Sequence, residues 1–369
     1  MKYWRGYLIA LIAAACSWAL VNFAQGHTLL VDMVYPYASR LIQTYLATWS
    51  APADFCIWQA VLMGLIALGL ASVVLMILLK WNPIQWFGWI TAVVSLLSLL
   101  NTAVYGLNDY AGNLSEDIRL EVTSYSFSEL ETATQFFRDR ANELSSKVKR
   151  DSEGNVLASS FQDMAEDAAD GFRTLTYEES MSVFAGSMLP VKELGWSNRY
   201  TRKGVTGVTV GLTGEAAVNP QTPGAALPFA ICREMAHRMS ISLDRDADFA
   251  AFLACNANKS EAFQYAANMM AYRYCYNAIV SLNTANANSA AMRLSVGVNQ
   301  KLEQDLETLD VFLKDNRIGP SDAEVCDLLV SWHIQNYVLP LQMEEETDFD
   351  PQDESQVDLS GIVNAKPAQ

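Results

Sequence analysis

The sequence predicts three transmembrane helices at the N-terminus followed by a helix-dominated α+β domain on the extracytoplasmic side. Three observations lead there. Residues 1–106 hold only four basic and two acidic side chains, whereas the remaining 263 hold 21 basic and 39 acidic. Three stretches of the first part are long and apolar enough to cross a bilayer. Beyond residue 106, apolar positions recur at helical spacing through most of the chain. The divisions expected are a membrane domain over 1–106, an outer domain over 107–342 and an acidic tail over 343–369.

The first apolar stretch, about 7–23, follows Lys2 and Arg5; the second, 55–79, is uncharged throughout, and so is the third, 83–105. Trp81, Trp86 and Trp89 stand at the entrance of the third, as interfacial aromatics do. A cleaved signal peptide is the alternative for the first stretch, but no clean small-x-small cleavage site follows Phe23, so an anchor is expected. The excess of cations in short cytoplasmic loops places Lys2, Arg5 and the Lys80 turn inside. It leaves the loop holding Arg40, and everything after Gly106, outside. No Lys, Arg, Asp or Glu interrupts the spans, which disfavours an ion path and hence a transport role.

In the outer domain, helical periodicity runs through 127–144, 161–172, 227–239, 249–253, 263–282, 302–313 and 325–338. The clearest strand is 204–212 (GVTGVTVGL), alternating, β-branched and bounded by glycines. It reads equally as a core strand or as an edge on which an extended peptide pairs. Its glycines form no G-x-G-x-x-G before a helix, so a phosphate cradle is not expected. The tail from Glu344 to Asp358 is strongly acidic and is expected to be a solvated end. A net charge of −16 with no Lys/Arg run excludes nucleic acid as a partner, because binding phosphates requires clustered cations. The expected partners are the membrane and a protein or peptide. The six cysteines contain no C-x-x-C pair; buried free thiols are expected, with a Cys232–Cys255 pair open if their helices touch.

Chemistry concentrates in 227–249 (LPFAICREMAHRMSISLDRDADF). Glu234 and His237 form E-x-x-H, three quarters of the H-E-x-x-H signature of zinc peptidases. In that signature two histidines on one helix face share the metal, and the glutamate is general base toward its water. The first position is Arg233. A third ligand commonly comes from an acid on the next helix, and Asp246 is the candidate, reached through a turn at 240–242. Cys232, five residues from His237, lies about 140° away around a helix and should point elsewhere.

The spans, these motif residues and several further strings resemble the bacterial three-span membrane family known as domain of unknown function 3810. The strings are 105–110 (YGLNDY), 214–219 (GEAAVN), 246–254 (DADFAAFLA), 263–265 (FQY) and 311–316 (VFLKDN). The resemblance covers nearly the whole chain. It implies a zincin-like outer domain of the gluzincin type in a bacterial cell membrane. Its site would hold His, Glu and His at 233, 234 and 237, with Glu at 246. This chain keeps Glu234 and His237, shortens the third ligand to Asp246 and replaces the first histidine with Arg233. A guanidinium has no free lone pair and stays protonated, so Arg233 cannot ligate zinc and adds a cation where the metal would sit. His27 and His333 are the other two histidines; one is expected by the membrane and one in a late helix. Two readings follow. Either the domain is catalytically degenerate, binds no cofactor, pairs Arg233 with Asp246 or Glu234 and serves as an interaction or assembly module; or it is an active membrane-bound zinc metallopeptidase with Glu234 as base and an atypical ligand set around His237 and Asp246.

Overall fold

Four long helices open the chain in the computed structural model, which describes residues 4–157, 159–313 and 322–340. They are α1 (Arg5–Gly26), α2 (Thr28–Ser50), α3 (Ile57–Leu78) and α4 (Pro83–Val104). Helices α1, α3 and α4 are the three expected spans; each has 22 residues, about 33 Å at helical rise and enough for a hydrocarbon core of about 30 Å. Asn82 caps α4 by accepting from the amides of Ile84 and Gln85, with Pro83 in its first turn. The expected loop around Arg40 is corrected: it is helix α2. Asp32, Arg40, Ser39 and Gln43 interrupt its apolar residues, so no continuous hydrophobic run announces it. Lys2 and the acidic tail lie outside the described residues.

Helices α1 and α4 pack along their length and run in the same direction. Near their starts, a Cβ on Gly6 would meet the Gly88 carbonyl carbon at 2.4 Å, and the Tyr7 hydroxyl donates to the Ile84 carbonyl at 2.9 Å. Further along, the Ser17 and Thr102 hydroxyls are 3.1 Å apart. Two glycines at the crossing allow this close approach, as small residues do between membrane helices.

The domain that follows the helices begins with a tight turn over Gly106–Tyr110. It continues through α5 (Leu114–Asp117), α6 (Phe127–Ser145), α7 (Phe161–Arg173), β1 (Lys192–Glu193), α8 (Ser197–Thr201), β2 (Gly207–Val210) and β3 (Glu215–Val218). Then come α9 (Leu227–Arg238), α10 (Asp244–Ala257), α11 (Glu261–Ser281), α12 (Ala285–Val296), α13 (Gln300–Leu313) and α14 (Asp322–His333). Helix α6 starts on a Ser126/Glu129 capping box. Helices α9, α10 and α11 form the centre, buried on nearly all sides, with Phe249, Phe252, Phe263 and Tyr265 fully enclosed. The sheet order is β1-β3-β2, with β1 parallel and β2 antiparallel to β3 in the register Val208↔Ala217. The strand expected at 204–212 is thus the edge strand β2. The six cysteines are free, and four pair as thiol contacts in the core, Cys232 with Cys255 and Cys275 with Cys326.

Domain and membrane helices are joined by buried polar contacts. The carboxylate of Glu215, in β3, accepts from the Ile57 and Trp58 amides at 2.8 Å each, capping α3, and binds Lys192 Nζ at 2.8 Å. Gln59 Nε2 donates to the Gly195 carbonyl, and the Tyr105 hydroxyl to that of His237. The parallel α1–α4 pairing is testable by cross-linking in native membranes. In a Cys16→Ala background, Ser17→Cys with Thr102→Cys is expected to form a disulfide on mild oxidation, whereas Ser17→Cys with Ile84→Cys is expected to stay reduced.

Candidate functional site

The turn after α9 sets the site. Ser240 adopts the left-handed conformation (φ 70°), its amide donating to the His237 carbonyl and that of Ile241 to Ala236, which closes the helix. The chain then reverses into α10 through the turn expected at 240–242. Because α10 is helical, Asp244 and Asp248 stand four residues apart on one face, toward α9, and Asp246 stands about 200° from both.

Arg233 occupies the middle of this arrangement. Its Nε donates to Asp248 Oδ1 at 2.9 Å, Nη1 to Glu234 Oε1 at 3.0 Å and Nη2 to Asp244 Oδ1 at 2.5 Å. Burial alone would lower its pKa, but Asp248, Glu234 and Asp244 outweigh that and raise it, so the guanidinium is firmly charged. The second Glu234 oxygen accepts from the Thr209 hydroxyl of β2 at 2.7 Å, so both oxygens of this buried carboxylate are engaged. His237 places Nδ1 2.9 Å from the Ile241 carbonyl, to which it donates, and turns Nε2 toward Asp244 at 3.5 Å. Asp244 is held below the usual carboxylate range by the hydrogen bond with His237 and by Arg233, against its burial. Asp248 is pushed up by burial, opposed by Arg233 and His237 and by a hydrogen bond from Tyr274.

These groups line a cleft of about 630 Å³, with Phe229 and Tyr274 on one side and β2, from Gly207 to Thr209, along the other. Strand and helix touch closely: a Cβ on Gly207 would meet Glu234 Cγ at 2.4 Å.

Arg233, Glu234 and His237 are therefore brought together, and Asp246 is not. Of the two partners expected for Arg233, Glu234 is found and Asp246 is not, and the placement of Asp246 as a ligand beside His237 is corrected. Asp246 faces away from the cleft, accepting from the Leu114 amide at 3.1 Å and from Arg245 at 3.3 Å, because two residues along a helix is over half a turn. Asp244 and Asp248 hold the positions instead. The signal was present in the DRDAD string, whose outer members share a face at i, i+4. Thr209 and Tyr274 carried no local signal, since sheet and helix packing bring them in. Cys232 is fully buried against Cys255, His27 stacks on Phe23 at the α1–α2 junction, and His333 packs between Phe136 and Tyr337.

A family model described as a protein of unknown function (DUF3810) matches residues 31–328, from α2 into α14. The chain belongs to this family. The matched segment contains two of the three candidate membrane helices, α3 and α4, and the whole cleft. No curated protein and no solved structure matches the chain.

Two outcomes check this geometry by unfolding of the full chain in detergent. Asp248→Ala removes a buried partner and is expected to cost on the order of 3–5 kcal/mol. Asp244→Ala, at a carboxylate 43% exposed, is expected to cost below about 1 kcal/mol, and Asp246→Asn, which keeps an acceptor for Leu114, to leave the cleft intact. The second outcome is a pH dependence. Since the folded-state pKa of Asp244 is depressed, its contribution is complete above its unfolded value near ~3.9 and is lost as the pH falls through the folded value. Below about pH 4, Asp244→Asn should therefore lose stability less steeply than the wild type.

Proposed function

We propose that this DUF3810 protein is a catalytically degenerate relative of gluzincin-type membrane metallopeptidases, in which the Arg233 guanidinium stands where the metal would. Its cleft then serves as an interaction or assembly site on the extracytoplasmic face. The observation that carries this reading is the three-carboxylate clasp on Arg233. One of those carboxylates, Asp244, lies 3.5 Å from His237 Nε2, and all three are spent on a cation that cannot bind water or polarise a carbonyl as a Lewis acid does. Among the described residues no group of three His, Cys, Asp or Glu side chains is arranged as a ligand set, whereas catalytic zinc uses three protein ligands. The donor set as it stands does not fit zinc. Glu234 is also poorly placed as a base, because Arg233 and Thr209 each occupy one of its oxygens.

The orientation follows the same reading. Parallel α1 and α4 bring Arg5 and Lys80 to one end, which favours that end as cytoplasmic and the outer domain as extracytoplasmic. The partner class best supported is an extended peptide, because β2 is an edge strand whose unpaired side borders the cleft.

Elemental analysis of the purified full-length protein beside Arg233→His, Arg233→Ala and Glu234→Gln tests the reading. The wild type is expected to carry far less than one zinc per chain and to cleave no peptide. Arg233→Ala is expected to be destabilised without gaining activity. Arg233→His supplies an imidazole beside His237 and Asp244 and is expected to raise the zinc content. About one zinc per wild-type chain, with proteolysis abolished by Glu234→Gln, would overturn the proposal in favour of an active zinc peptidase.

A further inference from the structure

We propose that α2 is a membrane-surface helix. It lies in the lipid interface on the outer domain's side of the bilayer and does not cross it, with one apolar stripe sunk among lipid chains and the opposite stripe bolted to the domain. The inference rests on the membrane reading of α1, α3 and α4 and is independent of which face of the membrane carries the domain.

The first argument is directional. Helices α1 and α4 run parallel, with Gly6 beside Gly88 and Ser17 beside Thr102. If both cross in the same sense, the chain between them must return once. Helix α3 makes that return, being uncharged and apolar over 22 residues. A crossing by α2 as well would force α1 and α4 antiparallel.

The second argument is the level at which α2 is held. The Tyr35 hydroxyl donates to the Thr102 and Ala103 carbonyls, and Ser39 Oγ to that of Val104, so α2 meets the last turn of α4. Ser39 also meets Asn108 and Ser240. Arg40 Nε donates to the Met239 carbonyl at 3.2 Å and Gln43 Nε2 to that of Gly211 at 2.9 Å. Every one of these partners belongs to the domain or to the end of α4 that faces it.

The third argument is the outer stripe. Residues two apart on a helix point about 200° apart, so the inward series Val31, Tyr35, Ser39, Gln43, Ala47 has an opposite series beginning at Leu29. Residues four apart advance by only about 40°, so within that series Met33, Tyr37, Leu41 and Tyr45, exposed by 74, 65, 57 and 73%, share an arc of about 120°. Ser39, Arg40 and Gln43 reach the protein while Met33, Leu41 and Tyr45 face outward, the reverse of a helix on a water-exposed surface. A contiguous apolar face of this length is not left to water, and Tyr and Trp favour the lipid headgroup level. Lipid is the occupant because the stripe is continuous with the membrane spans at both ends of α2, one residue after α1 and six before α3. The surface helix also grips both walls of the cleft, since Arg40 holds the turn after α9 and Gln43 the end of β2.

Spin labelling of the full chain, reconstituted in phosphatidylethanolamine–phosphatidylglycerol vesicles in a Cys16→Ala background, tests this. Nitroxides at Tyr37→Cys, Leu41→Cys and Tyr45→Cys are expected to collide readily with oxygen and rarely with a water-soluble nickel chelate. A nitroxide at Met292→Cys, exposed by 71% on the outer domain, should give the reverse ratio. Ready collision with the nickel chelate at the α2 positions would place the stripe in water. Poor collision with both reagents would place it under protein, a second copy included. Either result overturns the proposal, and neither bears on the zinc measurements.

Discussion

A guanidinium enclosed by three carboxylates is the constraint on which the cleft depends. Arg233 sits on a helix whose neighbours are almost wholly buried, where a lone charge would be strongly disfavoured. Glu234, Asp244 and Asp248 make its burial tolerable, and it does the same for them. Arg238, five residues on, shows the contrast. It is buried too, but among the described residues its hydrogen bonds go to the carbonyls of Ser187, Leu189 and Pro190 rather than to carboxylates, and burial pushes its pKa down to about 10. The carboxylates around Arg233, then, are what hold its charge, and they fix α9 against α10 and, through Glu234 and Thr209, against β2.

That clasp sits directly on the membrane junction. The Tyr105 hydroxyl, one residue past α4, holds the carbonyl of His237, and Arg40 and Ser39 of α2 reach the turn that follows it. On the other side of the sheet, Glu215 caps α3 while β3 pairs with the cleft strand β2. Domain and candidate membrane helices are thus linked through helix ends and backbone carbonyls, and these links converge on the turn that follows α9.

Much of this was legible in the sequence. The three spans follow from uninterrupted apolar runs, and α6, α7, α9 and α11 from their periodicity. Glu234, His237 and the intrusion of Arg233 follow from a four-residue spacing. Three features were hidden for physical reasons. Helix α2 mixes charges with an apolar stripe, so a hydropathy reading averages its two faces away. Which of Asp244, Asp246 and Asp248 faces the cleft depends on how α10 is rotated, which packing decides. Glu215, within the GEAAVN string, gave no sign that it caps a membrane helix, since its partners Ile57 and Trp58 lie more than 150 residues earlier.

The central claim is that Arg233 and its carboxylates form one electrostatic unit. A double-mutant cycle on the detergent-solubilised full chain tests it most directly, using Arg233→Met, Asp248→Leu and the pair together. The expected result is that each single variant is strongly destabilised by the unpaired charge it leaves, and that the double variant recovers much of the loss, with a coupling near ~3 kcal/mol. Additive effects, within about 0.5 kcal/mol, would contradict the account and leave Arg233 without the structural role assigned to it.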